Sequence, residues 1–209
     1  MSPAELPPTI DPLLEYLDWA GVAVFALSGA LVAAAKRQTL VTFIFFAVIT
    51  GVGGGTARDL LIGAPVFWIS ENITLLICLA AGLIVWLMPA RIWRGKALLW
   101  FDAAGLAAYA SFGAAKGLAF GVAPLPAVGM GVLTACLGGI IRDVLAGEPS
   151  ILMRSELYVT AAALAAMLTV GLILAGLPAT SAGLVGALAG FGLRGGAIWQ
   201  GWSLPAYRR

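Results

Sequence analysis

Histidine is absent from this 209-residue chain, and cysteine occurs only twice, at Cys78 and Cys136. A zinc site and a His-based catalytic triad are thereby excluded. Both cysteines fall within apolar runs, where buried free thiols are the plain reading. Charge is scarce as well: 11% of residues are charged, against about 25% in soluble proteins. A water-soluble globule does not fit that figure. The formal net charge of +2 gives no reason to expect nucleic acid as a partner. No basic, Ser-rich tract opens the chain, and Met1–Asp11 is polar, Pro-rich and acidic, which argues against a cleaved signal peptide. Alternation of polar and apolar residues is also missing from runs such as Leu40–Ile49 and Leu75–Met88. A lipid-facing β-barrel needs that alternation, so spanning helices remain.

What the chain has in quantity is hydrophobic residues, 61% of the total. Apolar stretches recur, each long enough to cross about 30 Å of hydrocarbon. The pattern predicts seven spanning helices near 13–35, 39–62, 70–89, 98–118, 124–147, 155–176 and 180–199. Breaks between them carry turn or charged residues, among them Lys36-Arg37-Gln38, Gly63-Ala64-Pro65 and Gly147-Glu148-Pro149. The last two spans, parted by Gly176-Leu177-Pro178, should form a tight hairpin. With the N-terminus outside, Lys36, Arg37, Arg91, Arg94, Lys96, Arg142, Arg154, Arg194, Arg208 and Arg209 fall inside. Only Arg58 and Lys116 fall outside, so the positive-inside rule puts the C-terminus in the cytoplasm. An acidic N-terminal stretch (Glu5, Asp11, Glu15, Asp18) agrees with that orientation. Trp68, Trp86, Trp93, Trp100, Trp199 and Trp202 lie near span ends, as an interfacial belt would.

The chain also repeats itself. Gly54-Gly55-Thr56-Ala57-Arg58-Asp59 returns as Gly138-Gly139-Ile140-Ile141-Arg142-Asp143, 84 positions later. At the same offset Asp18 meets Asp102, Gly21 meets Gly105, Ala26 meets Ala110 and Gly29 meets Gly113. Thr50 meets Thr134, Gly63 meets Gly147 and Pro65 meets Pro149. Each copy holds three spans, and an odd number sends the second copy through the bilayer in the opposite sense. The expected architecture is an all-α membrane protein with a 3+3 inverted repeat plus a seventh helix. Its parts are a tail (1–12), a first repeat (13–96), a second repeat (97–178), the seventh helix (179–199) and a C-terminal tail (200–209).

The repeated motif places charge at membrane depth, where it is costly and usually functional. Runs Gly53-Gly54-Gly55 and Gly138-Gly139 weaken a helix by about 1 kcal/mol per glycine, so helices two and five are expected to kink or unwind there. Freed carbonyls would line a wet path and attract cations. Arg58, Asp59, Arg142 and Asp143 would stand at its two mouths. Asp18 and Asp102 are expected as N-caps or vestibule charges. Ser28, Thr50 and Thr134 offer hydroxyls to an ion or back-bond to their own helices, and Lys116 should snorkel. Plain close packing explains Gly21, Ala26, Gly29, Gly105, Ala110 and Gly113.

Seven helices, a 3+3 repeat and Gly-Gly-x-x-Arg-Asp in helices two and five resemble the prokaryotic trimeric intracellular cation (TRIC) channels. That bacterial family also bears the domain label "glycine transporter". The resemblance covers residues 13–199. It implies a homotrimer in a bacterial inner membrane, one pore per protomer, lined by kinked helices two and five. Potassium would be the main permeant ion, held only transiently, with no cofactor or resident metal, membrane lipids as neighbours, and bound lipid a further candidate. Carried over by position, Gly54, Gly55, Arg58, Asp59, Gly138, Gly139, Arg142 and Asp143 are the pore residues. Animal members use a Lys-Glu-Val motif in helix two for lipid-linked regulation, and this chain has none there. A channel is not expected to be an enzyme. The competing expectations are a secondary transporter of a small zwitterion such as glycine, and a non-transporting scaffold.

Overall fold

The fold is described from a computed structural model over residues 12–89, 96–153 and 156–205. Arg91, Trp93, Arg94, Arg154, Arg208, Arg209, Glu5, Asp11 and the side chain of Glu15 lie outside the described part.

In chain order the helices are α1 (Pro12–Ala35), α2 (Leu40–Ile62), α3 (Phe67–Ser70), α4 (Ile73–Leu87), α5 (Ala97–Ala119) and α6 (Pro124–Leu145). A 3-10 turn (Ile151–Met153), α7 (Val159–Leu174) and α8 (Ala179–Gln200) complete them. Five carry apolar windows of membrane-crossing length: α1, α2, α5, α6 and α8. α4 and α7, apolar but only 15 and 16 residues long, stand where the other two expected spans were placed. These two begin later than the residues 70 and 155 read from hydropathy. After Pro65 and Pro149 the chain first makes a short turn, α3 in one repeat and the 3-10 turn in the other, before re-entering the bilayer. The hydropathy reading contained no element for either turn.

Helices α2 and α6 end alike. Gly63 and Gly147 both adopt φ +68, the left-handed conformation glycine tolerates. The next residues, Ala64 and Glu148, donate back to the carbonyls of Asp59 and Asp143, each at 2.9 Å. The first repeat packs α1, α2 and α4 together; the second packs α5, α6 and α7. Between them α1 lies on its mate α5 and α2 on its mate α6, while α8 covers α5 and α7.

Glycine contacts give the relative direction. A Cβ on Gly54 would touch the Thr134 carbonyl, and one on Gly138 the Thr50 carbonyl. A Cβ on Gly21 would meet Tyr109, and one on Gly105 would meet Phe25. In both pairs the position rises on one helix as it falls on its partner, so mates run antiparallel. The inversion expected from the odd span count is present in the packing itself.

The unwinding expected at the glycines is not found. Helical hydrogen bonding runs without interruption through Gly53–Gly55 in α2 and through Gly138–Gly139 in α6, so no turn is unwound there. The glycines remove bulk instead. A Cβ on Gly54 would stand 2.0 Å from the Thr134 carbonyl oxygen, and one on Gly138 2.5 Å from that of Thr50. Only residues without a side chain let the two backbones approach this closely.

Candidate functional site

The α2–α6 contact is centred between Val52 and its mate Cys136. Six residues beyond it on each helix stand Arg58 and Arg142, about 18 Å apart along the helix direction at 1.5 Å per residue. Because the helices are antiparallel, the two charged pairs lie on opposite sides of the crossing. Each pair has the same local frame. Arg58 Nε donates to Asp59 Oδ1 at 2.8 Å, and Arg142 Nε to Asp143 Oδ1 at 2.9 Å. The other carboxylate oxygen accepts from the backbone N–H that opens the short turn eight residues on. That donor is Phe67 for Asp59 and Ile151 for Asp143, both at 3.1 Å. The aspartates therefore cap the short turn that follows each loop, Phe67 and Ile151 being the donors.

Around this common frame the two clusters differ. In the first, Lys116 of α5 reaches Asp59 Oδ1 at 2.8 Å. The Arg58 guanidinium is stacked at 4.9 Å from the Phe112 ring centre and 5.7 Å from that of Phe67. Its Nη1 and Nη2 have no hydrogen-bond partner among the described residues. In the second, Arg142 Nη1 donates to Asp102 Oδ1 at 2.7 Å and to Ser28 Oγ at 2.9 Å. Ser28 is the repeat mate of Phe112, so the same position supplies a hydroxyl to one arginine and an aromatic face to the other.

Asp18 and Asp102 also part ways. Asp102 holds Arg142, whereas Asp18, buried within reach of Arg58, Lys116, Asp59 and Glu71, leaves Oδ1 unpartnered. Neither caps its helix, since α1 begins at Pro12 and α5 at Ala97; that expectation is corrected. Snorkelling by Lys116 is corrected too, because its ammonium is drawn inward by Asp59 and is 7% exposed. Ser28 and Thr134 back-bond to Phe25 and Met130 at 2.9 and 2.6 Å, while the Thr50 hydroxyl is buried without a partner. Gly55 faces the Phe67 ring, and Gly139 faces the Tyr158 hydroxyl, Asp102 and Arg142. Gly53 lies beside Ile141.

Sequence reasoning missed the contributions of Lys116, Phe112 and Phe67. A signal existed for Lys116 alone: a cation inside a span needs an acid nearby, and Asp59 was the candidate on that side. The aromatic partners carry no such mark in a chain this apolar.

Arg58 and Asp59 are 0% exposed, Arg142 2% and Asp143 8%. Between the clusters the α2 and α6 backbones are in contact, so no space separates these two helices at their crossing. Among the described residues no group of three or more Cys, Asp or Glu could hold a metal ion.

A duplicated three-helix unit, inverted and crossed upon itself with one buried ion-pair cluster beyond each side, defines a multi-pass membrane protein of the inverted-repeat class. The chain belongs to the family described as glycine transporter, whose pattern matches twice, over residues 15–90 and 99–173. The two matches start 84 positions apart, which is the offset of the internal repeat. Among its relatives, a membrane protein of Vibrio cholerae is 37% identical over 93% of this chain and 83% of its own length. The inner membrane protein YadS of Escherichia coli is 39% identical over 71% of this chain and 73% of its own. Among solved structures, the TRIC trimeric intracellular cation channel orthologue of Rhodobacter sphaeroides superimposes with a TM-score of 0.85 at 39% identity, covering 92% of this chain and all of that one. A second structure, described in terms of conductance through TRIC cation channels, gives 0.81 at 31% identity, over 93% and 97%. The resemblance drawn from the glycine motifs is borne out.

Proposed function

We propose that this protein is a cation channel of a bacterial inner membrane, a homotrimer in which each protomer holds its own pathway between α2 and α6. Potassium is the main permeant ion, and the C-terminus faces the cytoplasm. The observation that carries this reading is the antiparallel α2–α6 crossing with an Arg–Asp cluster on each side, in a chain that superimposes so closely on a cation channel.

The chemistry follows from the groups present. Asp59 and Asp18 on one side, and Asp143 and Asp102 on the other, supply negative charge that lowers the cost of a cation in low dielectric. Arg58, Lys116 and Arg142 neutralise much of it, so an ion that arrives is held weakly and leaves readily. No Thr-Val-Gly-Tyr-Gly filter is present, and discrimination between potassium and sodium is accordingly modest. Conduction requires α2 and α6 to part at Gly54 and Gly138, because the described conformation leaves no room between them.

Recording from purified protein in planar bilayers tests the reading. Unitary currents whose reversal potential follows the potassium gradient are expected. Saturable glycine flux without unitary currents would overturn it in favour of a carrier, and the absence of both would leave a scaffold.

A further inference from the structure

The two repeats are not filled alike on the side facing away from the crossing. In the second repeat an apolar groove of about 440 Å³ lies along α6, closed at one end by Leu152 of the 3-10 turn and Val159 at the start of α7. Gly129, Leu133, Cys136 and Ile140 of α6, with Leu152 and Val159, form its walls. At the matching place in the first repeat stand Phe45 for Gly129, Thr56 for Ile140 and Trp68 for Leu152. There the indole is pinned on α2, its Nε1 donating to Thr56 Oγ1 at 2.8 Å. The first repeat thus fills with its own aromatic side chain what the second leaves open. The glycine at the groove's end is open space, since a Cβ on Gly129 would meet nothing within 4 Å.

We infer that this groove is a binding site for one acyl chain of a membrane phospholipid. Its walls offer no polar group, so the occupant must be hydrocarbon. It lies along the middle of a membrane-spanning helix, where lipid tails are the hydrocarbon at hand. The space is the one an indole occupies in the mate, which fixes the occupant as a slender apolar group. The groove stripe of α6, Gly129, Leu133, Cys136 and Ile140, lies on the face opposite Thr134 and Gly138, which press on α2. A chain seated there backs α6 from behind. This inference rests on the membrane-spanning fold and not on the channel reading, so either can fail alone.

The full chain, reconstituted with a phospholipid bearing a diazirine in its acyl tail, is irradiated and the labelled residues are found by mass spectrometry. Labelling at Leu133, Leu137, Leu152 and Val159 should exceed that on the open surface of α4 at Leu76 and Leu83. Gly129→Phe and Leu152→Trp, which restore the first repeat's residues, should each lower groove labelling about tenfold, as displacing one or two methylene groups requires, with α4 unchanged. Labelling no greater in the groove than on α4, or undiminished in both variants, overturns the inference. So do photo-crosslinks placing a second copy of the chain in the groove. Should either variant fail to fold, the wild-type ratio of groove to α4 labelling decides alone.

Discussion

Arg58 and Arg142 occupy one sequence motif yet live in different chemistry, and the difference comes from single positions on neighbouring helices. Ser28 gives Arg142 a hydroxyl where Phe112 gives Arg58 a π-face. Asp102 accepts from its arginine, whereas Asp18 does not. Removing one partner of a buried ion pair costs about 3–5 kcal/mol, because the other charge is left uncompensated. Arg142 keeps Asp143 when Asp102 is neutralised, so Asp102→Asn should destabilise the protein by less than that range, while Asp18→Asn, which breaks no hydrogen bond among the described residues, should change stability least. Thermal unfolding of the two purified variants checks this; equal losses would mean that Asp18 is tied to Arg58 as tightly as Asp102 is to Arg142. Legibility at this scale was uneven. The motif residues stood out because charge inside an apolar run is conspicuous. Their partners did not, since Phe67 and Phe112 look like ordinary bilayer residues and became partners only through tertiary packing.

At the scale of elements, the longer helices were nearly all readable, because each is a sustained apolar run and each is stopped by a glycine, a proline or a charge. Gly63 and Gly147 marked the ends of α2 and α6, and their left-handed backbone explains why glycine stands there. The short turns before α4 and α7 were not legible. They are held by carboxylates eight residues upstream, Asp59 and Asp143, and no window along the sequence reports such a bond. The glycine pairs were located correctly but assigned the wrong physical role. Low helix propensity suggested unwinding, yet helical hydrogen bonds must be kept inside a bilayer, and close packing of α2 on α6 absorbs the glycines instead. Gly54→Ala and Gly138→Ala should consequently drive the helices apart, at a cost of about 1–3 kcal/mol each. Gly171→Ala in α7, where a Cβ meets nothing within 4 Å, should be neutral or slightly stabilising. Unfolding temperatures of the three variants provide the comparison. Equal behaviour of all three would remove the crossing as the reason for those glycines.

On the scale of the molecule, the contacts between the repeats are those of mates, α1 on α5 and α2 on α6, and the seventh span has no mate. α8 packs on the second repeat, whose α5 and α7 it covers. Each half is accordingly a unit with its own three packed helices, joined to the other across a self-complementary seam. Two polypeptides, one ending after α4 and the other beginning before α5, should associate in the membrane when produced together. Co-purification of the two fragments measures it, and failure to associate would show that covalent linkage is needed to bring the seam together.

That seam has an evolutionary reading. Because Gly54 meets Thr134 while Gly138 meets Thr50, an ancestral half-length gene product inserted in both orientations would already have possessed both sides of the contact. Fusion of two such copies would free each to drift, and Phe112 against Ser28 and Trp68 against Leu152 are places where the two halves of this chain differ.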